Sequence, residues 1–318
     1  MNQSIKVSVL IPVYGVEKYI ERCARSLFEQ TMKDGIEFIF TNDATPDRSM
    51  EILLETLEDY PERKPQVSIL NHEQNRGLGA TRKTGFLASR GEYIIHCDSD
   101  DWVEPNMYEM MYKEGKRTKA DIIGCDYIEE YADRSSIFRQ RFDLSPEKQF
   151  MGIIGRNHSE MNVTVWCRMF RSSFYAKFGL IVPDMNRDED VLISVSAHAL
   201  ATRVGNVPMA LYHYNLANPN SIMADDSNDT LSNKIMVWDY LYRFLSSSSH
   251  WKYPERELTL RLLDLKRDLI RTRKMFDPDR WRALWVDLPV YKYTLPKTKI
   301  VMWLAKNGYD RILKLLAK

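Results

Sequence analysis

The sequence predicts an α/β fold in which a mostly parallel sheet is covered by helices on both faces. Over the first 125 residues, five short apolar runs alternate with amphipathic, helix-like stretches. The runs are almost continuously apolar, which is typical of strands buried on both faces. Strands that alternate with helices at this spacing indicate crossover connections, and these join parallel strands.

The predicted strands are rich in β-branched and aromatic residues, which favour extended structure. They are "KVSVLIPVY" (6–14), "IEFIFT" (36–41), "VSIL" (67–70), "EYIIHC" (92–97) and "DIIGC" (121–125). Helices are predicted over 17–30 and 48–60. The second has Leu53 and Leu57 on its apolar stripe and Asp47 as its predicted N-cap.

The rest of the chain is less regular. An aromatic-rich run covers 163–170, a helix is predicted over 188–200 and a strand over 208–215. The polar segment 224–233 is predicted to be a linker, and the sequence beyond it is helical in character. We therefore divide the chain into a sheet domain over 1–225 and a C-terminal helical region over 226–318.

Composition excludes several classes of protein. The net charge of +1 indicates no general binding of nucleic acid. Four cysteines without a Cys-x-x-Cys pair argue against a zinc ribbon or a disulfide framework and favour a reducing compartment. No signal peptide is apparent, and no apolar run reaches the roughly 20 residues that span a bilayer. We expect a soluble, cytoplasmic protein.

The last stretch, 291–318, contains seven Lys or Arg and one Asp, mixed with Trp, Met, Leu and Ile. Two hypotheses remain open for it. A basic amphipathic tail of this kind can lie on an anionic membrane, here the inner face of the cytoplasmic membrane. The alternative is an ordinary helix that packs on the domain and exposes its basic face to water.

Polar segments follow each of the first four strands. They are "PVYGVEKY", "TNDATPDRS", "NHEQNRGLGATRKTG" and the aspartate segment that contains Asp98, Asp100 and Asp101. We expect them to converge, because ligands bind at the carboxyl ends of parallel strands. "GLGATR" differs from a dinucleotide-binding loop, since Arg82 takes the third glycine position and the loop follows the third strand. No P-loop pattern occurs.

Asp98 and Asp100 are two residues apart, so in an extended chain they would point to the same side. Neighbouring carboxylates repel each other unless a cation lies beside them. Oxygen ligands suit Mg²⁺ or Mn²⁺, which often bridge to substrate phosphates. The alternative is a solvated acidic loop that caps the next helix.

Assembled, these motifs resemble those of family 2 glycosyltransferases with a single GT-A fold. The matching segments are 7–31, 37–53, "NRGLGATRKTG" (75–85), "GEYIIHCDSDDWVEP" (91–105) and "RDEDVLIS" (187–194). The resemblance covers residues 5–225. It implies a nucleotide-binding sheet of the GT-A type with a C-terminal helical extension.

The resemblance also implies residue roles. Asp190 would be the general base, with Glu189 beside it. Asp98 and Asp100 would hold the ribose–diphosphate through Mn²⁺ or Mg²⁺, with Asp100 as the direct ligand. The remaining nucleotide-binding residues would be Pro12, Val13 and Tyr14 along the base, Glu17 near it, Asp43 on the uracil ring, and Arg82 and Ser99.

The implied reaction is an inverting, metal-dependent hexosyl transfer in a single displacement. The donor would be a nucleotide sugar of the UDP type, and the acceptor a hydroxyl of a glycan or lipid-linked saccharide, as in bacterial surface-polysaccharide synthesis. One rival is a sugar nucleotidyltransferase, whose glycine-rich loop should follow the first strand. The other is a non-catalytic nucleotide-sugar-binding protein, which would not need the carboxylates.

Alternatives remain for three of the residues. Asp190 and its acidic neighbours also suit a helix N-terminus. His213 is either a ligand of the metal or diphosphate, or a partly buried histidine with a structural hydrogen bond. Trp166 either stacks on a sugar acceptor or belongs to the core.

The sequence departs from the family pattern at two places, and each departure leads to a prediction. Ala44 stands where the family has glycine, so the turn is expected to avoid positive φ there. Thr81-Arg82-Lys83 replaces Ala-Arg-Asn, which adds a cation near the phosphates.

Overall fold

The computed structural model describes residues 4–143, 145–154, 161–177, 188–219, 228–247, 255–271, 278–285, 287–294, 296–309 and 312. Its strands are β1 (Val7–Val13), β2 (Ile36–Asn42), β3 (Val67–Asn71), β4 (Tyr93–His96), β5 (Trp102–Val103), β6 (Ile122–Glu130), β7 (Ser135–Phe138), β8 (Arg168–Arg171) and β9 (Val204–Asn215). Its helices are α1 (Ile20–Phe28), α2 (Ser49–Glu58), α3 (Leu78–Ala88), α4 (Met107–Thr118), α5 (Pro146–Ile154), α6 (Ser172–Tyr175), α7 (Glu189–Leu200), α8 (Asn228–Ser247), α9 (Glu255–Arg271), α10 (Pro278–Ala283), α11 (Val290–Tyr293) and α12 (Pro296–Lys306). A 3₁₀ turn covers Pro61–Gln66.

The strands form one sheet in the order β3-β2-β1-β4-β8-β6-β9-β5, with β7 paired to β6. The first four strands in that order are parallel to one another. Strand β8 runs antiparallel to both β4 and β6, and β5 is antiparallel to β9. The predicted α/β class, with a mostly parallel sheet, is confirmed.

Helices cover both faces of the sheet because its central strands are apolar on both sides. Every residue of β1 is buried. Val9 and Ile11 belong to one core cluster with Phe28 of α1, whereas Leu10 belongs to a second cluster with Ile193 of α7. Alternation along the strand therefore sends successive side chains into two separate cores.

The predicted linker over 224–233 is wrong for residues 228–233, which form the first part of α8; residues 224–227 lie outside the described ranges. Ser, Asn, Asp and Thr favour turns and also helix N-termini, so composition alone does not separate the two. The apolar residues that follow, Val237, Trp238 and Leu241, are buried in the second core cluster and stabilise the helix by packing.

The helices after residue 228 extend the core of the sheet domain. Leu241 of α8, Leu262 of α9 and Trp285 share the second cluster with Leu10 and Ile39 of the sheet. Among the residues that the structure describes, no helix is both long and apolar enough to cross a membrane.

Candidate active site

Arg82 connects three parts of the chain at the carboxyl edge of the sheet. It is buried in α3, where Nη2 donates a hydrogen bond of 2.7 Å to Asp98 Oδ1 and Nε donates one of 3.1 Å to Glu189 Oε1. Burial opposes its charge, but Asp98 and Glu189 raise the pKa of Arg82 above its ordinary value. Its Nη1 is buried without a hydrogen-bond partner among the described residues.

Residues 98–101 form a tight turn, closed by the amide of Asp101 donating to the carbonyl of Asp98 at 3.1 Å. Strand β4 already ends at His96, so the condition of an extended chain, under which Asp98 and Asp100 would point to the same side, is not met. Asn218 donates from Nδ2 to Asp100 Oδ2 at 2.8 Å. Asp101 points inward and accepts hydrogen bonds from the Tyr212 hydroxyl, at 2.6 Å, and the Asn215 amide, at 2.7 Å.

Negative charge in this turn is only partly compensated. Burial, and then the charge of Asp98, raise the pKa of Asp100. Burial, and then the charges of Asp100 and Asp98, raise the pKa of Asp101 well above its usual range. A bound cation would relieve this repulsion.

The donor set is compatible with a hard cation. Within the described ranges, no group of three or more His, Cys, Asp or Glu side chains could hold a metal ion. Mg²⁺ and Mn²⁺ commonly use one or two carboxylates together with water and substrate phosphate. Asp98 and Asp100 fit that pattern, although the bond to Arg82 already occupies one oxygen of Asp98.

Asp190 lies in the first turn of α7, next to Glu189. Its Oδ1 accepts a hydrogen bond of 2.7 Å from the amide of Val191. Burial, and then the charge of Glu189, raise the pKa of Asp190 to about 8. The hydrogen bond to a helix-terminal amide supports Asp190 as a residue that stabilises the start of α7. Its raised pKa supports it as a general base, because proton transfer near neutral pH requires such a value.

Asp43 is buried and holds the glycine-rich loop. Its Oδ1 accepts hydrogen bonds from the Arg76 amide, at 2.9 Å, and from His72 Nδ1, at 2.7 Å. Its Oδ2 accepts one of 2.9 Å from the Gly77 amide. A carboxylate can accept about four hydrogen bonds, and three are used here. The predicted hydrogen bond from uracil therefore competes with those from the loop for the oxygens of Asp43.

The other predicted nucleotide residues differ in accessibility. Tyr14 is half-exposed at the end of β1, and Glu17 is exposed nearby, accepting the Arg48 amide at 3.2 Å. Pro12 and Ser99 are buried. Val13 is fully buried in the core, so its side chain does not line an open surface and only its main chain is available to a base.

Ala44 adopts φ of +55°, so the expectation that the turn avoids positive φ there is wrong. The neighbouring Thr45 amide donates to Asn42 Oδ1 at 2.9 Å, and the Asp43 side chain is held as described above. These contacts hold Ala44 in the left-handed conformation. That conformation is strained for alanine because its Cβ lies too close to the following carbonyl oxygen.

His213 is not brought together with Asp98 and Asp100. Its Nδ1 lies 2.8 Å from Glu130 Oε1 and its Nε2 lies 2.9 Å from Glu104 Oε1. Both ring nitrogens are therefore occupied, which supports the structural alternative. Trp166 is buried and stacks on Tyr212 with ring centroids 4.3 Å apart, which supports its alternative as a core residue.

Sequence reasoning missed the contribution of β9. Its end supplies Tyr212 and Asn215 to Asp101, and Asn218 follows directly. Tyr214 is partly exposed, and burial, followed by the charges of Asp101, Asp98, Asp100 and Asp190, raises its pKa. Alternation along the predicted strand 208–215 was the available signal, because it places Tyr212 and Tyr214 on the face opposite His213.

An open α/β sheet of this order, with an acidic turn after β4 and an acidic helix start meeting at its carboxyl edge, defines a glycosyltransferase fold of the GT-A type. The family model described as glycosyl transferase family 2 matches residues 8–179. The chain belongs to that family.

Individual relatives agree with this assignment. The uncharacterized glycosyltransferase EpsJ of Bacillus subtilis is 34% identical over 68% of this chain and 62% of its own length. EpsH of the same organism, also named as a glycosyltransferase, is 29% identical over 95% of this chain and 89% of its own. The crystal structure of S. aureus TarS 1–349 in complex with UDP-GlcNAc superposes with a TM-score of 0.71 at 16% identity, covering 97% of this chain and 90% of TarS 1–349.

Proposed function

We propose that this chain is a metal-dependent, inverting glycosyltransferase that moves a sugar from a UDP-sugar to a hydroxyl of a glycan or lipid-linked saccharide. One observation carries the proposal: Arg82 bridges Asp98 and Glu189, although Glu189 lies 107 residues further along the chain. The two acidic segments expected to bind the diphosphate and to activate the acceptor thus share one buried cation.

The nucleotide would lie along the ends of β1 and β2. Tyr14 is accessible there for the base, and the main chain of Pro12 and Val13 and the side chains of Glu17 and Asp43 border the same edge. Ser99 would contribute from the aspartate turn. The preference for UDP is supported by the fold shared with TarS, which binds UDP-GlcNAc.

Asp100 and Asp98 would hold Mn²⁺ or Mg²⁺. The cation would neutralise charge that develops on the departing diphosphate. Arg82 adds a fixed positive charge, and its buried, unpartnered Nη1–H is a donor that a phosphate oxygen would satisfy. Both groups act on the leaving group, which is where an in-line displacement needs stabilisation.

Asp190 would take the proton from the acceptor hydroxyl, and Glu189 would fix Arg82 beside it. A general base works best when its pKa lies near the working pH, and the pKa of Asp190 is raised to about 8. Attack from the side opposite the diphosphate inverts the anomeric configuration in one step. Tyr214, partly exposed near the end of β9, would be the aromatic ring on which a bound sugar packs.

We place the transfer in residues 1–225, with the helical region 226–318 as an extension, and the protein in the cytoplasm. The test is a panel of nucleotide sugars with Mn²⁺, followed by measurement of the released nucleotide and of the transferred sugar. We expect UDP release that requires a saccharide acceptor. Pyrophosphate release would favour the nucleotidyltransferase, and tight UDP-sugar binding without any turnover would favour the non-catalytic protein.

A further inference from the structure

Helix α12 presents apolar side chains on the side that faces away from the core. Pro296, Ile300 and Trp303 are exposed, as is Asn307 just beyond the helix. Spacings of four, three and four residues place them on one helical face. Ile300 is 59% exposed and Trp303 is 49% exposed, whereas the opposite side of the helix packs on a core cluster through Val301, Met302 and Leu304.

The end of α12 extends this exposed surface. Gly308 adopts φ of +79°, and the Tyr309 amide donates to the Leu304 carbonyl at 3.0 Å, which reverses the chain direction. The Tyr309 ring consequently stacks on Trp303 with centroids 5.6 Å apart. Tyr309 and Ile312 are 44% and 42% exposed. We call Ile300, Trp303, Tyr309 and Ile312 the tail surface.

Two lysines border the tail surface. They are Lys299 and Lys306, and neither forms an ion pair with another residue that the structure describes. The sequence 291–318 as a whole has seven basic residues against one acidic residue, and one of the seven, Lys292, pairs with Glu255 at 2.9 Å. Aromatic rings beside lysines are typical of segments at a membrane interface, where rings lie at headgroup depth and ammonium groups reach the phosphates.

We propose that the tail surface docks this protein onto an anionic phospholipid membrane, with α12 lying parallel to the bilayer plane. Burial of the apolar side chains and attraction of the lysines to lipid phosphates would act together. A second copy of the chain fits this surface less well, because two such faces would bring their excess positive charges into contact. The inference does not rest on the proposed transfer reaction.

The experiment is cosedimentation of the full chain with vesicles. One set contains phosphatidylcholine with phosphatidylglycerol, and the other contains phosphatidylcholine alone. We expect binding to the anionic vesicles that weakens as salt increases. The double variant Ile300→Asp/Trp303→Asp should bind at least about tenfold more weakly, because two apolar anchors are lost and two repelling charges are gained.

Two further sets of variants make the result specific. Leu87→Asp is the matched control, since Leu87 is 65% exposed but lies on α3; its binding should equal that of the native chain. Lys299→Gln and Lys306→Gln should each weaken binding about fivefold, as expected for about 1 kcal/mol per basic residue near the surface. Thermal unfolding of each variant checks that it is folded.

Three results would overturn the proposal. They are equal binding to both kinds of vesicle, an equal loss with Leu87→Asp, and an absence of vesicle binding. If the native chain instead sediments as a dimer that the double variant dissociates, the tail surface is a contact between copies.

Discussion

Nη2 of Arg82 and Oδ1 of Asp98 are 2.7 Å apart, and the same guanidinium also holds Glu189. One buried guanidinium thus lies between carboxylates from the aspartate turn and from the start of α7. Desolvating such groups is costly, so the arrangement depends on all three partners being present. A bound substrate phosphate and a metal cation would offset this desolvation cost, because they would add favourable charge interactions to the same groups.

Replacing Arg82 by Met should destabilise the fold and abolish transfer. Two buried or half-buried carboxylates would lose their counter-ion, and breaking a buried pair of this kind costs about 3–5 kcal/mol. Urea unfolding measures the loss of stability. Lys83→Met on the same helix is the control, and equal stability of the two variants would contradict the assigned role of Arg82.

Asp190→Asn should keep UDP affinity and lose most turnover, by roughly 10²–10⁴-fold as expected for loss of a general base. In the native enzyme, turnover should rise with pH up to about 8, the value to which the pKa of Asp190 is raised. Initial rates across pH 5–9 and UDP binding by calorimetry test both expectations. Near-native turnover of the variant would place the base elsewhere.

The same substitution should increase stability at high pH. A carboxyl whose pKa is raised by folding binds its proton more tightly in the native state, so native stability falls as pH rises from about 4 toward 8. Asp190→Asn removes that loss. Its melting temperature should exceed that of the native chain at pH 8 and approach it near pH 4, and a difference that does not change with pH would contradict the argument.

Asn218→Ala should weaken cation binding without removing a proposed ligand. Asn218 donates to Asp100 Oδ2 at 2.8 Å, and loss of a group that orients a ligand typically costs about 10–100-fold in metal affinity. Chelation should stop transfer, and Mn²⁺ should restore it at higher concentration in this variant. Asp34→Asn, at an exposed site, is the control, and full activity in chelator would remove the cation from the scheme.

Ala44→Gly should stabilise the protein by about 1 kcal/mol. The residue has φ of +55°, which costs alanine about 1–2 kcal/mol, and glycine avoids that cost while losing some entropy on folding. Urea midpoints measure the difference. Ala197→Gly, inside α7, should change stability in the opposite direction, and a loss of stability at both positions would contradict the argument.

Local pattern was sufficient for much of the architecture. Continuous apolar runs identified β1, β2 and β4, and the acidic residues after β4 and at the start of α7 were identified as candidates before any contact was known. Predictions from local pattern were wrong where the same residue type occurs in more than one kind of local structure. The polar residues 228–233 form helix instead of linker, and Ala44 adopts a conformation that its side chain disfavours.

By itself, the sequence determined the strand and helix periodicity, the chemistry available at the strand ends and the family to which the chain is similar. Tertiary structure decided which polar groups pair with one another. Asp43 holds the glycine-rich loop, His213 lies between two glutamates, and Asn218 reaches Asp100 across 118 residues. Periodicity is a property of neighbours along the chain, whereas the partner of a buried polar group is selected by packing between distant segments.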